Sequence, residues 1–200
     1  TPGSYILTAG GEKKALSTAN SEITLNDEAR IMESEDNKLI LDFDLRKTLT
    51  AGSQDSYSFA SDSQMAAGIR AVNSLNAGTI AGNVSNMDSF EGDALVAYAY
   101  KKGTYEDSEK EPNGNGVRFS NAVSSTVVNS GDGHFALHFL EEGEYEVRFV
   151  SYEDTDNDQK LEMKGELQVN TLAELNIQDV QVSSNSTTSV DVEISGLLGL

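Results

Sequence analysis

The chain lacks cysteine and tryptophan altogether, and it holds only two prolines and 14 basic residues among 200. Without cysteine there is no disulfide, no thiolate nucleophile and no cysteine-ligated zinc. The 33 acidic residues give a formal net charge of −19, which repels nucleic-acid phosphates and anionic lipid surfaces. No run approaches the roughly 18 apolar residues of a membrane-spanning helix. These absences argue against nucleic acid as a partner and leave divalent cations as ligands that the surface attracts.

Residues 131–150 carry the clearest secondary-structure pattern. Large apolar side chains recur at every second position in its two arms: Phe135, Leu137, Phe139, Tyr145, Val147 and Phe149. Successive side chains of a strand point to opposite faces, so each arm is predicted to be a strand with one buried side. Gly143 provides the backbone freedom of a tight connection, so we predict a β-hairpin that closes one edge of a sandwich.

Short runs with strand propensity, separated by turn residues, continue along the chain. The predicted strands are 5–8, 22–25, 28–32, 38–45, 78–84, 94–100, 122–128, 134–140, 144–150, 162–169, 174–182 and 188–194. Many short strands at this spacing indicate a sandwich. Residues 51–63 and 103–117 are mostly small and polar, so we predict surface loops there, the second of them mobile. Residues 64–75 fit either a helix or a strand by composition.

The N-terminal part of the chain is predicted to be a separate β segment. Asn76-Ala77-Gly78 punctuates a boundary, so residues 1–76 form this segment and residues 77–200 form the sandwich. Within 38–45 the leucines and Phe43 alternate with two aspartates, and an ion pair between Asp44 and Arg46 is expected along the strand.

Several segments carry a resemblance to known proteins. The stretch 139–149, FLEEGEYEVRF, resembles the carboxypeptidase-regulatory-like or prealbumin-like repeat, a small β-sandwich attached to many exported bacterial proteins. The segments 39–50 (LILDFDLRKTLT), 68–84 (GIRAVNSLNAGTIAGNV) and 149–165 (FVSYEDTDNDQKLEMKG) together resemble an uncharacterised family of bacterial exported proteins, often lipoproteins, named only as a domain of unknown function. The second resemblance spans roughly residues 36–169.

This resemblance implies a fold and a location but no reaction. The fold is all-β: a prealbumin-like or immunoglobulin-like β-sandwich preceded by a smaller β domain, in which residues 64–75 form a strand. The location is extracytoplasmic, in the periplasm, the outer membrane or the cell surface, with membrane contact only through a lipid anchor that this chain does not contain. The family's long N-terminal domain is expected to be mostly missing, because the DFDLRK motif begins here near residue 42.

Residues 153–158, EDTDND, form the sharpest chemical motif. Asp154, Asp156 and Asp158 alternate as oxygen ligands do in the first half of a calcium loop. A calcium site on these three aspartates is one interpretation. The other is a solvated acidic turn that follows a strand.

The second half of the calcium-loop pattern is incomplete. Glu162 falls at the ninth position, where a ligand is expected. Gln159 stands where the loop needs glycine, and Gly165 stands where it needs a bidentate glutamate. The full EF-hand pattern therefore fails, and both interpretations place the segment on the surface.

Tyrosines near one strand end are the candidates for contact with a ligand. Tyr98, Tyr100 and Tyr105 could stack on sugar rings if exposed, or they could seal the rim of the sandwich. His134 and His138 share a strand face about 13 Å apart, too far for one metal ion, and are predicted to be exposed. The chain has no G-x-S-x-G, Walker or dinucleotide motif, so no catalytic residue is predicted.

The most economical hypothesis is a non-enzymatic structural or binding module of the bacterial cell envelope that displays its loops to a protein or glycan partner. The first alternative is a calcium-dependent carbohydrate-binding or adhesion module. The second alternative is a carboxylate-based hydrolase. A homodimer that pairs strand edges of the N-terminal half is also expected, because unpaired edges bind other chains.

Overall fold

A computed structural model of the chain describes residues 3–8, 10–17, 22–25, 28, 30–33, 35–52, 56–158, 160–172 and 175–198. Strands hold 48% of the chain and helices 12%, which confirms the all-β class and the sandwich-like fold. The chain divides into two compact units, Thr1–Asn73 and Ser74–Leu200.

The first unit combines small sheets with two short helices. Its elements are β1 (Tyr5–Leu7), β2 (Lys13–Ser17), β3 (Leu39–Phe43), α1 (Leu45–Thr48), β4 (Leu49–Ala51), β5 (Tyr57–Phe59), α2 (Asp62–Gly68) and β6 (Ile69–Asn73). A four-stranded sheet has the order β1-β2-β5-β4, and β3 pairs antiparallel with β6. The described parts of the predicted strands 22–25 and 28–32 have no regular structure, so those two predictions fail where they can be compared.

The predicted strand 38–45 ends early because Asp44 caps a helix. Its carboxylate oxygen Oδ1 accepts from the backbone N–H of Arg46 at 3.1 Å, and α1 begins at Leu45. The expected ion pair between Asp44 and Arg46 is present at 2.5 Å, but across a helix start instead of along a strand. The apolar row of β3 is about half exposed, with Leu39 at 53% and Phe43 at 45%.

Two further predictions, both for residues 51–75, are wrong. The predicted loop 51–63 contains the end of β4, the strand β5 and the start of α2, and its residues 53–55 lie outside the described part. The predicted strand 64–75 is helical up to Gly68 and becomes a strand only at Ile69. The helix forms because Gln64 Oε1 accepts from the backbone N–H of Ser61 at 3.1 Å, one half of a capping box.

The second unit is the sandwich. Its strands are β7 (Ala77–Asn83), β8 (Ala94–Lys101), β9 (Ser124–Val127), β10 (His134–Glu141), β11 (Gly143–Glu153), β12 (Glu162–Thr171), β13 (Val180–Val182), β14 (Thr187–Ser189) and β15 (Val192–Leu198), with 3₁₀ turns at Ser74–Asn76, Met87–Ser89 and Asp107–Lys110. One sheet has the order β10-β7-β14. The other has the order β15-β12-β11-β8-β9, and β13 pairs with one end of β11.

The core lies between these two sheets and is built from the alternate positions of their strands. Its largest buried members are Ile80, Leu95, Phe135, Leu137, Leu140, Tyr145, Val147 and Phe149. The rings of Phe135 and Phe149, one from each sheet, meet edge to face with centroids 5.2 Å apart. Such contacts add about 0.5–1.5 kcal/mol to the free energy gained from burial.

The predicted hairpin of residues 131–150 is wrong in its pairing. β10 pairs with β7 in one sheet, whereas β11 pairs with β8, β12 and β13 in the other. The chain therefore crosses between layers near Gly143. Alternation reports which face of a strand is buried, and it carries no information about the neighbouring strand.

One aromatic residue of β10 also departs from its predicted position. The register of β10 shifts between Leu137 and Leu140, and Phe139 adopts a left-handed backbone with φ of 57°. Leu140 takes the inward position and is fully buried, while Phe139 is 37% exposed. The β-bulge inserts one extra residue, so alternation beyond it is reversed.

Two phenylalanine substitutions on β10 test this packing. We expect Phe135→Ala to lower the free energy of unfolding of the second unit by about 3–5 kcal/mol, because it leaves a cavity in the core. Phe139→Ala is the matched control, and we expect a loss of about 1 kcal/mol or less. Urea unfolding followed by tyrosine fluorescence measures both, and equal losses would contradict the bulge.

Candidate functional site

Carboxylates converge at the turn between β11 and β12. The two strands pair antiparallel up to Glu153 opposite Glu162, and residues 154–161 connect them. Asp154 and Asp156 lie on this turn. Together with Glu162, the first residue of β12, each offers one carboxylate oxygen, and these three oxygens lie within 4.8 Å of one another.

The turn is organised by its own polar contacts. The backbone N–H and the hydroxyl of Thr155 both donate to Glu162 Oε2 at 3.0 Å. The backbone N–H of Asp158 donates to Asp154 Oδ1 at 3.1 Å and to Asp156 Oδ1 at 3.2 Å. These bonds hold the three carboxylates near one another although they repel.

Asp158 does not join the group that the sequence pattern suggested. Its carboxylate binds Lys160 Nζ at 2.5 Å and accepts from the backbone N–H of Lys160 at 2.8 Å. The hydrogen bonds from Lys160 lower the pKa of the Asp158 carboxyl below its ordinary value. The structure thus places Glu162 beside Asp154 and Asp156 and turns Asp158 to a lysine, while Gln159 lies outside the described residues.

The negative charge of the turn is only partly neutralised. Lys164 binds Glu153 at 2.9 Å, which leaves this lysine and Lys160 occupied with carboxylates outside the group. Within the described part of the chain no ion pair involves Asp156 or Glu162. A cation between the three carboxylates would relieve their repulsion.

The donor set suits a hard divalent cation. All three side chains offer oxygen, the ligand type that Ca²⁺ takes six to eight times at 2.3–2.6 Å. Asp154 is half-buried and its backbone N–H donates to Asp93 Oδ2 at 2.8 Å, which anchors the start of the turn. Asp156 and Glu162 are exposed, so backbone carbonyls and water would have to complete the coordination.

The tyrosines predicted to face a ligand are mostly buried. Tyr98 is 3% exposed and Tyr100 is 0% exposed, on the outer face of β8. Tyr98 packs on Phe119 with ring centroids 4.6 Å apart, and Tyr100 OH donates to Glu109 Oε2 at 3.0 Å. The segment between β8 and β9 folds over these rings and makes a second core, so of the two roles considered for Tyr98 and Tyr100 their burial leaves packing and excludes stacking on a sugar.

Part of the predicted loop 103–117 is therefore packed. Tyr105 belongs to the second core and Glu109 is buried, whereas residues 111–116 are exposed as expected. Glu109 Oε1 has no hydrogen-bond partner among the described residues. No composition signal distinguishes these two residues from the polar residues around them.

Arg148 and its partners were not singled out by sequence reasoning. The guanidinium of Arg148 binds Glu166 Oε1 at 2.8 Å and Glu146 Oε2 at 3.1 Å, and it lies 3.9 Å over the ring of Tyr105. Tyr105 OH donates to Glu166 Oε2 at 3.1 Å. Both glutamates are buried, so this network fastens the β8–β9 segment to the sheet. The only signal for this network in the sequence was that Glu146, Arg148 and Glu166 are charged residues on strand faces that point away from the core.

The remaining sequence predictions concern the histidines and the membrane. His134 and His138 are exposed residues of β10, as expected for the row that faces away from the core. Neither helix of the described residues has the length and hydropathy needed to cross a membrane.

Comparison with known proteins does not assign the chain to a family. The chain matches no protein-family model, no curated protein and no solved structure.

The Tyr105 network predicts a pH dependence. Burial, and then the charge of Glu166, raise the pKa of Tyr105 above the ordinary value of about 10. The folded state keeps this proton while the unfolded state loses it, so the contribution is complete below about pH 10 and declines at higher pH. We expect Tyr105→Phe to lose about 1 kcal/mol at neutral pH and to decline less steeply from about pH 10 to 11.

Urea unfolding at several pH values measures this difference. Tyr5→Phe serves as the control, because Tyr5 is exposed and lies in the other unit. An alkaline decline of Tyr105→Phe that is as steep as that of the wild type would contradict the assignment.

Proposed function

We propose that the protein is a non-enzymatic binding or structural module of the bacterial cell envelope, a β-sandwich whose β11–β12 turn takes up calcium. The observation that carries the proposal is the convergence of Asp154, Asp156 and Glu162 within 4.8 Å. The cation would fasten the turn to the start of β12 and so stiffen the end of the sandwich that displays it.

The composition of the turn favours calcium over other metals. Zinc is usually held by histidine or cysteine, and the group offers neither. Magnesium demands near-ideal octahedral geometry, whereas calcium accepts irregular sets of carboxylates, carbonyls and water. An exposed site with three protein carboxylates fits the affinity of extracellular calcium modules, on the order of 10⁻⁴–10⁻³ M.

The proposed location follows from the same affinity and from the sequence resemblance. A site this weak is useful only where calcium is abundant, which is the case outside the cytoplasm. The segments 39–50, 68–84 and 149–165 resemble exported bacterial proteins. The absence of cysteine is compatible with folding in an oxidising compartment without cross-links.

The calcium-dependent carbohydrate-binding or adhesion module shares the acidic turn with this proposal, but its sugar-binding part lacks a supporting observation, and so does the hydrolase. Sugar binding by stacked rings would need exposed aromatics, and Tyr98 and Tyr100 are buried. A carboxylate hydrolase would need an acid and a base facing a substrate. The buried pair Glu146 and Glu166 faces Arg148 and is satisfied by it.

Calcium is expected to stabilise the protein by mass action. With a dissociation constant of about 1 mM, about 10 mM CaCl₂ adds roughly 1.4 kcal/mol to the free energy of unfolding. The thermal midpoint then rises by about 3–6 °C. We expect Asp156→Asn and Glu162→Gln to abolish this rise, and calorimetric titration with CaCl₂ to show no heat for either variant.

Asp158→Asn is the matched control. It keeps the oxygen that accepts from the Lys160 backbone, and it removes only the charge that Lys160 neutralises. This variant should respond to calcium like the wild type. In EGTA, Asp156→Asn should be no less stable than the wild type, because it removes repulsion. The proposal fails if the wild type shows neither heat nor a midpoint shift, or if calcium binding is lost in Asp158→Asn and kept in Glu162→Gln.

A further inference from the structure

The six-stranded sheet divides on one side of β11. β12 pairs with the stretch from Val150 to Glu153, and β13 pairs with the stretch from Gly143 to Tyr145. Residues 146–149 lie between the two, and no described strand pairs with them on that side. Here the backbone N–H of Val147 donates to the carbonyl of Ile177 at 2.8 Å, in place of a strand.

β12 has a matching open edge. Its residues 166–171 pair with β15 on one side, but its pairing with β11 on the other side ends at Glu166. The stretch 167–171 therefore presents one edge that no described strand covers. Five residues of extended chain span roughly 17 Å.

A cleft of about 360 Å³ lies between these diverging strands. Its lining includes the core residues Phe149 and Leu167, the half-buried Ile177, and the ion pair of Arg148 with Glu166. This volume falls in the range of ligand pockets, about 300–1,000 Å³.

Apart from the ion pair of Arg148 with Glu166, the polar residues that line the cleft are uncharged. Gln168 and Asn170 are exposed on alternate positions of β12, and the exposed Gln178 and Ser195 also line the cleft, Ser195 from the neighbouring strand β15. Amides and hydroxyls donate as well as accept hydrogen bonds, so the rim can bind polar side chains of an added strand whether these are positively charged, negatively charged or neutral.

We propose that this cleft docks an extended, basic polypeptide segment of a partner protein, which adds as a strand to the open edge of β12. Strand addition uses backbone hydrogen bonds for affinity and alternate side-chain contacts for specificity. The proposal rests on the non-enzymatic binding role proposed above, but it does not depend on the calcium site.

The charge of the second unit selects a basic segment. Residues 74–200 hold 22 acidic and 7 basic residues. This field attracts a cationic chain and repels a second copy of this protein. A sugar is the weaker occupant, because the lining contains no exposed aromatic ring on which it could stack.

The test uses the full chain and a fluorescein-labelled hexapeptide, Lys-Val-Thr-Val-Lys-Val-amide, in a fluorescence anisotropy titration. The control peptide has the same side chains but N-methylated amides at alternate positions, which removes backbone donors and keeps the charge. We expect the control peptide to bind about tenfold more weakly or worse. Equal binding of both peptides would mean non-specific charge attraction and would overturn the proposal, as would equal binding of a peptide with glutamate in place of lysine.

Paired variants locate the site. Ser195→Trp fills the cleft and should weaken peptide binding about tenfold, whereas Glu193→Trp, two residues away on β15 and outside the lining, should change it less than about twofold. If Ser195→Trp is unstable, Asn170→Lys replaces it as the test variant, and Asn115→Lys, at an exposed position outside the cleft, is its control. The added lysine at position 170 repels the basic peptide and should weaken its binding, whereas the lysine at position 115 should leave peptide binding unchanged.

The remaining outcomes identify other occupants or separate the two proposals. Displacement of the peptide by cellohexaose would assign the cleft to a glycan and overturn the proposal. Concentration-dependent dimers in light scattering that Ser195→Trp abolishes would assign it to a second copy, with the same consequence. Peptide binding should be equal in calcium and in EGTA, and equal in Asp156→Asn. Loss of peptide binding with an intact calcium response therefore refutes this inference alone.

Discussion

β11 is buried on both of its faces, and the rest of the sandwich is arranged around this constraint. One face sends Tyr145, Val147 and Phe149 into the core between the two sheets. The other face carries Val150 into the second core, beneath the segment that joins β8 to β9. Between Tyr145 and Ser151 the strand has little contact with water, so the polar side chains of this stretch need partners from the protein.

The Arg148 network meets this requirement for Glu146 and for the two terminal guanidinium nitrogens, whereas Arg148 Nε and Ser151 Oγ have no hydrogen-bond partner among the described residues. An unpaired guanidinium at the half-buried position of Arg148 would cost desolvation free energy, but Glu146 and Glu166 supply opposite charges and Tyr105 supplies a ring face. Such a network adds little net stability compared with an apolar core, because both charges lose water. Its consequence is geometric: Glu166 accepts from Tyr105 and lies 3.6 Å from Lys110, so it positions the polar segment over the sheet.

The sequence predicted the inward faces of the strands well, but it predicted neither the burial of the outer face of β11 nor the strand pairing. Alternation correctly identified the inward rows of β11 and the start of β10, because each strand face meets one environment. It failed at Phe139, because a bulge is a local property of two paired strands. The predicted hairpin was wrong because alternation contains no information about which strands pair with each other. The helix α2 was recoverable, because Ser61 and Gln64 stand at the spacing of a capping box, a local signal that the prediction of a strand over 64–75 did not take into account.

The candidate metal group shows the same division between local and non-local information. Spacing along the chain identified Asp154 and Asp156, which are two residues apart on one turn. Spacing also suggested Asp158, but Lys160, two residues later, binds the Asp158 carboxylate and turns it away from the group. Glu162 enters the group through the antiparallel register, which returns the start of β12 to the end of β11.

The acidic turn and the cleft lie at opposite ends of one short ladder, and for this reason the two proposed binding events are expected to be independent. β11 and β12 are paired only from Val150 to Glu153, with a register shift between Ser151 and Tyr152. The turn closes one end of this ladder, and the cleft opens where the ladder stops, at Glu166. Glu166 is held there by Arg148 and Tyr105, not by the turn, so the width of the cleft is set by the buried network. A cation at Glu162 would order the turn, and the position at which β12 leaves β11 would stay where Arg148 fixes it.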